Sequence, residues 1–229
     1  MYLLMKDFEA AISDYSRVLQ LHPNDVLAYK QRGKANLELS RLEEAKRDFE
    51  KAKAILSSQQ GEENSKSVSV DYELGLVAYL EENYEEAVTY FSLAAKSQPD
   101  ENILFRRALA YAEIDEYENA LTDCKEIIEM NNNVVPDNVH MLIAECLFGL
   151  CEYKHAIDAF TSSLEQGISN RLKLGEAERA VIYVKRAYCF WNEFIEQTQR
   201  EEWAEVAELE ENGKFGLWPC VCVCMCACV

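Results

Sequence analysis

The chain has 229 residues and a formal net charge of −18, with 23 Lys plus Arg against 41 Asp plus Glu. This acidic excess argues against nucleic acid or an anionic membrane as the main partner, because Lys and Arg must neutralise phosphate at such surfaces. With 49% apolar residues but only 8 Gly and 4 Pro, the composition favours a folded protein built from long helices over a turn-rich β architecture.

The chain shows no sign of export or membrane insertion. Its first residues form too short an apolar run for a secretory signal, and no stretch reaches the ~20 apolar residues that a spanning helix needs. Four cysteines in the body of the chain are an ordinary number for buried, reduced thiols. We therefore expect no membrane span and a cytoplasmic location.

A pattern of small residues recurs along the chain. An alanine is followed by an apolar or aromatic residue at +4 and by a mostly small or apolar residue at +7, and these alanines are Ala11, Ala45, Ala87, Ala120 and Ala156. Twelve residues before each of the last four lies another small residue, namely Gly33, Gly75, Ala108 and Ala144. The +4, +7 spacing marks one face of a helix, and a second helical segment precedes it. The pattern predicts an all-α fold of antiparallel helical hairpins.

The small residues have a mechanical role in this prediction. Two helices approach closely only where their side chains are small, so we expect Gly75 to meet Ala87 at the crossing of its hairpin, with Phe91 filling the space beside them. A larger residue at Gly75 or Ala87 should then cost ~1–3 kcal/mol through overpacking.

Three segments carry a resemblance to a known family. They are Tyr29–Gly33 with Arg41–Ala45 and Phe49, Leu74–Gly75 with Asn83–Ala87 and Phe91, and Arg106–Ala108 with Tyr117–Ala120 and Cys124. Together they resemble tetratricopeptide repeat (TPR) proteins, and the resemblance covers about residues 1–200. It implies an α-solenoid, in which the hairpins stack into a superhelix.

The repeats can be placed along the chain. We expect a truncated first repeat with only its second helix at 1–25, repeat 2 at 26–59, an inserted polar loop at 60–67, repeat 3 at 68–100, repeat 4 at 101–136, repeat 5 at 137–170, a degenerate repeat with capping helices at 176–212, and a Cys/Val-rich tail at 213–229. Within the degenerate region we predict one helix over Glu176–Gln199 and a capping helix around Trp203, Val206 and Leu209.

The tail follows a different rule from the rest of the chain. Cysteine occupies every second position from Cys220 to Cys228, and we expect this segment to be disordered or to be an artefactual or alternatively spliced end. Two functional alternatives are a soft-metal site and a prenylation box at Cys226–Val229, but neither has the expected ligand or aliphatic spacing.

Chemistry-bearing patterns are missing from the sequence. His22, His140 and His155 lie in different repeats, and no window of the chain matches a phosphate-binding glycine loop. We therefore expect no enzyme activity, no cofactor and no metal site.

The resemblance implies that a partner is held on the concave face, which the first helix of each repeat lines. Projecting those helices at 3.6 residues per turn gives the candidate groove residues Lys30, Lys34, Tyr72, Glu73, Leu76, Tyr79, Phe105, Arg106, Met141, Phe148, Tyr188 and Trp191. We expect a non-catalytic adaptor that binds a partly apolar peptide or helix of a partner protein in this groove.

Other functions compete with this one. TPR co-chaperones grip acidic chaperone tails with two Lys, two Asn and an Arg; Lys30 and Arg106 match that clamp, whereas Lys34, Glu73 and Asn102 depart from it. Glu73 would repel a carboxylate at the middle of the clamp. A structural role in a larger scaffold, with self-association through the truncated first repeat, is a further alternative. An RNA-binding repeat protein is disfavoured by the charge of −18.

Overall fold

The described residues form helices and no strand, which confirms the all-α prediction. A computed structural model describes residues 7–58, 70–132, 134–169 and 176–211. The chain divides into two compact units, Met1–Leu150 and Cys151–Val229. The predicted loop at 60–67 and the tail at 213–229 lie outside the described residues.

The first unit contains eight helices in its described residues: α1 Phe8–Leu21, α2 Val26–Glu38, α3 Leu42–Ser58, α4 Asp71–Leu80, α5 Tyr84–Ser97, α6 Glu101–Glu113, α7 Tyr117–Met130 and α8 Asp137–Gly149. Helices α2 and α3, α4 and α5, and α6 and α7 pack as antiparallel hairpins, as the small-residue pattern predicts. The repeat boundaries proposed from the sequence stay a prediction.

The second unit contains α9, Tyr153–Ser169, packed against α10, Glu176–Glu211. Helix α10 runs unbroken for 36 residues. The sequence analysis predicted two helices in this region. The structure joins them, because no Gly or Pro lies between the two segments to stop the first one.

Side-chain caps fix where several helices begin. Asp25 Oδ1 accepts a hydrogen bond from the Ala28 N–H at 2.9 Å, and Asp100 Oδ2 accepts one from the Asn102 N–H at 3.1 Å. Each cap satisfies a backbone donor that the helix itself leaves unpaired, and contributes about 1 kcal/mol. The Asp100 cap also sets the first turn of α6, which borders the candidate site.

The tight turn inside each hairpin is built without glycine. Its middle residue is Ser40, Glu82 or Asp115, and each has a φ near +60°, a region that favours glycine. Backbone hydrogen bonds offset the strain: for example, the Asn83 N–H donates to the Ala78 carbonyl at 2.9 Å. The shared geometry explains why so few glycines suffice for several hairpins.

The small residues of the first helices lie against aromatic rings. A Cβ added to Gly33 would lie 2.6 Å from Phe49 Cε1, and one added to Gly75 would lie 2.6 Å from Phe91 Cε1. Both rings are fully buried. The nearest side-chain atoms therefore belong to the aromatic residue sixteen positions later, whereas the sequence analysis named alanine as the main neighbour.

The next hairpin reduces the difference in size within this pair. Ala108 takes the place of the glycine and Cys124 takes the place of the ring, and both lie fully buried in one apolar cluster. Because Cys124 is smaller than a phenylalanine, the first helix has room for the methyl group of Ala108 at the crossing. The crossing thus depends on the pair of residues and not on glycine alone.

Buried thiols belong to the same core. Burial raises the pKa of Cys124 and that of Cys146 to about 12, so both remain protonated at neutral pH. They act as small apolar side chains.

An arginine links neighbouring helices at two levels of the first unit. Arg32 donates from Nε and Nη2 to both carboxylate oxygens of Asp48, at 2.9 and 2.6 Å, and from Nη1 to Ser16 Oγ at 3.0 Å. The hydrogen bond with Asp48 raises the pKa of Arg32, so the pair stays charged. The arginine therefore joins α1 to both helices of the following hairpin.

The same arrangement recurs two hairpins later. Arg107 donates to both oxygens of Asp123, at 2.8 and 2.6 Å, and contacts Ser92 Oγ at 3.4 Å. In the hairpin between them, Leu74 and Tyr90 occupy the equivalent positions and pack in an apolar cluster. The sequence analysis missed this network.

The crossing predicts a stability effect. Gly75→Ala should lower the free energy of unfolding by about 1–3 kcal/mol, because the fully buried ring of Phe91 cannot move aside freely. This loss should outweigh the gain in helix propensity of about 1 kcal/mol that Ala normally brings. Urea denaturation of both proteins measures the difference. Thr89→Ala, at an exposed position of α5, is the control and should change stability by less than about 0.5 kcal/mol. A Gly75→Ala protein as stable as wild type would contradict the account.

The arginine network gives a second prediction. Arg107→Met should cost about 3 kcal/mol, because it leaves the carboxylate of Asp123, whose side chain is 4% exposed, without its cation. Removing both charges with Arg107→Met and Asp123→Leu should restore most of the loss, as chemical denaturation would show. The control is Arg41→Met, which breaks an exposed pair with Glu9 and should cost under about 1 kcal/mol. Equal losses in the two single variants would count against a buried linking role for Arg107.

Candidate functional site

Two lysines of α2 converge on one acidic side chain of α4. Lys30 and Lys34 are one helical turn apart, so both side chains lie on the same face of α2. The Nζ atom of Lys30 lies 3.2 Å, and that of Lys34 3.1 Å, from Glu73 Oε1. The structure therefore brings together three of the residues predicted for the groove.

Glu73 is buried, and only part of its hydrogen-bonding capacity is used. Its side chain is 5% exposed, whereas those of Lys30 and Lys34 are 16% and 44% exposed. Among the described residues, Glu73 Oε2 has no hydrogen-bond partner. A buried carboxylate oxygen left in this state is costly, so the negative charge of Glu73 depends on its two lysine partners.

A cleft opens beside this cluster. Its volume is about 540 Å³, and it lies between α2, α4, the end of α5 and the start of α6. The lining residues are Lys30, Tyr72, Glu73, Ala94, Ser97, Gln98, Pro99, Asp100, Asn102 and Ile103. A cleft of this size accepts a few residues of an extended or helical segment.

The aromatic side chains of α4 are held in place by packing. The ring of Tyr72 lies 5.9 Å from that of Phe91, and Tyr79 lies 5.3 Å from Tyr84 in an edge-to-face arrangement. Burial and the charge of Glu113 raise the pKa of Tyr79, so its hydroxyl group stays protonated. Leu76 is partly buried between these tyrosines on the same helix. The side of α4 that was predicted to face the groove is therefore preorganised.

The later helices of the first unit contribute less to the cleft. Phe105 is partly buried against the apolar cluster of α6, α7 and α8, whereas Arg106 is exposed. Met141 and Phe148 on α8 are half-buried. None of these four residues lines the cleft.

The last two predicted groove residues belong to the second unit. Tyr188 and Trp191 lie on α10 and are 53% and 63% exposed. The same helix exposes Tyr183, Val184, Phe190 and Phe194. The sequence analysis did not name Phe190 or Phe194, although their spacing to Tyr183 follows the helical period that it used.

Several cleft residues could not be found from helix projection. Ser97 is the last residue of α5, and Gln98 and Pro99 lie in the connection between α5 and α6, so all three are outside the first helices of the repeats. Asp100 is the cap of α6. Pro99 and Asp100 are adjacent in the sequence, and such a pair indicates a turn and a helix start rather than a binding residue.

Comparison with known proteins decides the family. The tetratricopeptide repeat profile matches residues 5–59 and 72–135, more than half of the chain. The chain belongs to the TPR family. In its described residues, this TPR protein has no three His, Cys, Asp or Glu side chains grouped where they could hold a metal ion. No described helix combines the length and the apolar character needed to cross a bilayer.

Individual relatives agree with the fold. Hsp70-Hsp90 organizing protein 1 of Arabidopsis thaliana is 30% identical over 122 residues. The match covers 47% of this TPR chain and 21% of that protein. The chain thus spans about a fifth of that relative's length. MamA of Desulfovibrio magneticus RS-1 superposes with a TM-score of 0.63 at 18% identity, over 74% of this chain and 91% of that one.

A further solved structure, YrrB, described as a TPR protein with an unusual peptide-binding site, has a TM-score of 0.55 at 16% identity, over 82% of this chain and 97% of that one. At such identities the solved structures establish the α-solenoid fold. TPR proteins bind protein partners, and the family and fold are those of non-catalytic protein–protein interaction modules.

Proposed function

We propose that this TPR protein is a non-catalytic adaptor that binds a partly apolar peptide or helix of a partner protein along the first helices of its repeats. The observation that carries the proposal is the cleft of about 540 Å³ beside Tyr72 and Glu73. Its lining is mixed: Tyr72, Ala94, Pro99 and Ile103 form apolar surface, and the other lining residues are polar or charged. Such a site suits a partly apolar segment that also makes hydrogen bonds.

The rigidity of the cleft supports this role. Tyr72 packs on Phe91, and the lysines of α2 are held by Glu73, so little side-chain freedom remains to be lost on binding. Preorganised sites gain affinity because this entropic cost is already met during folding. The peptide-binding site named for YrrB supports the same assignment by analogy of fold.

A co-chaperone function is the second candidate, and the name of the Arabidopsis relative favours it. In that case the lysines would bind the carboxylates of an acidic chaperone tail. However, Lys30 and Lys34 already share Glu73, and an incoming carboxylate would lie close to that buried negative charge. The arrangement therefore favours an adaptor for another class of peptide.

The groove predicts which substitutions weaken binding. Peptides selected on the full chain from a random display library should bind at least tenfold more weakly to Tyr72→Ala, about 1.4 kcal/mol, because the variant loses one wall of the cleft. Arg106→Ala removes an exposed side chain of α6 and should weaken binding by at least twofold. It should not disturb the packing of the helices. Fluorescence anisotropy with synthetic peptides gives the dissociation constants.

Two controls separate binding from folding. Circular dichroism should show unchanged helicity in both variants, and Thr89→Ala should bind the peptides within twofold of wild type. Peptides that bind Tyr72→Ala and Arg106→Ala as tightly as wild type would remove the groove from the function.

A further inference from the structure

The two oxygens of the Glu73 carboxylate have different surroundings. Oε1 receives both Lys30 and Lys34, at 3.2 and 3.1 Å. Oε2 is buried and has no partner among the described residues. The carboxylate therefore binds two cations with one oxygen and leaves the other buried and unpaired.

Charges of both signs lie at the cleft. Lys30, Glu73 and Asp100 line it, and Lys34, which does not, contacts Glu73. Two lysines and two acids among these four residues give little net attraction to an acidic or a basic segment. A carboxylate entering the cleft would find both lysines occupied, and a cation would approach the same two lysines. A neutral hydrogen-bond donor meets neither cost.

We propose that Glu73 determines the charge preference of the cleft, because it occupies Lys30 and Lys34 as a ligand carboxylate would. The occupant is an internal peptide segment that presents an uncharged Asn or Gln side chain, next to apolar residues, in the place where a carboxylate would meet the lysines. A C-terminal or side-chain carboxylate is excluded. This inference rests on the proposed groove and specifies the chemistry of its ligand.

The burial of Glu73 makes it an effective competitor. Its side chain is covered by the two lysines and held on α4, so it is present at a fixed distance whether or not a ligand arrives. A ligand carboxylate would have to displace it from both cations and leave a buried charge unpaired. Glu73→Gln, which removes the charge and keeps the shape of the side chain, should therefore leave the lysines able to bind an external carboxylate.

The test uses chemically matched peptides. A peptide selected on the wild-type chain is synthesised with each Asn or Gln intact or exchanged for Asp or Glu, and with a C-terminal amide or a free carboxylate. Binding of each form to the full wild-type chain and to Glu73→Gln is measured by fluorescence anisotropy. The readout is the ratio of dissociation constants between the carboxylate and amide forms, which cancels any general change in affinity.

For at least one exchanged position of the peptide, wild type should bind the amide form at least tenfold more tightly than the carboxylate form. Glu73→Gln should reduce this ratio of dissociation constants to below twofold or reverse it. Selected peptides that need a carboxylate to bind wild type would overturn the proposal, without any use of the variant. An unchanged ratio in Glu73→Gln, with helicity retained, would overturn it too.

The groove and the role of Glu73 fail in different ways. If the peptides bind in the groove but Glu73 does not discriminate against carboxylates, Tyr72→Ala weakens binding while Glu73→Gln leaves the ratio of carboxylate to amide dissociation constants unchanged. If the peptides bind elsewhere, both variants leave every dissociation constant unchanged, and both proposals are overturned. Lys34→Gln gives an independent check: it removes one cation from Glu73, and should strengthen the preference for the amide form.

Discussion

The fit between a small residue on one helix and a larger side chain on the next is the constraint on which the structure depends. Gly33 lies against Phe49 and Gly75 against Phe91, with no room for another carbon atom. Where Cys124 replaces the ring, Ala108 replaces the glycine. Close packing within each hairpin sets where its first helix lies, and the candidate site is built from these first helices.

Contacts between hairpins then place individual side chains. Arg32 and Arg107 each hold a buried aspartate of their own hairpin and a serine of the preceding helix, whereas Leu74 makes an apolar junction. Charged groups with bidentate geometry tolerate few alternative positions, so they can specify how helices stack even where they add little stability. Glu73 also links neighbouring hairpins, because both of its lysine partners belong to α2.

Much of the fold could be predicted from the sequence, since helical hairpins leave a local and repeated signal. The Ala87 and Phe91 spacing, with Gly75 twelve residues earlier, was enough to predict a hairpin. The arginine network also left a signal, because Arg32 directly precedes the small residue and Asp48 directly precedes the ring. The repeat pattern followed small, apolar and aromatic positions, so it did not report the charged residues beside them.

The candidate site could be predicted only in part. Helical projection placed Lys30, Lys34 and Glu73 on the first-helix face, but it did not show that both lysines contact Glu73. Whether an acid on one helix is neutralised by lysines on another depends on the stacking of the hairpins, which no local pattern reports. The loop residues of the cleft, Gln98 and Pro99, lie outside the first helices, so helical projection did not include them.

A double-mutant cycle between Gly75 and Phe91 tests the central constraint most directly. The free energy of unfolding is measured for wild type, Gly75→Ala, Phe91→Cys and the double variant, which copies the Ala108 and Cys124 pair into the preceding hairpin. If the ring is what excludes a larger residue, Gly75→Ala should destabilise the wild type but be neutral or stabilising once Phe91 is Cys. An equal cost of Gly75→Ala in both backgrounds would contradict the account.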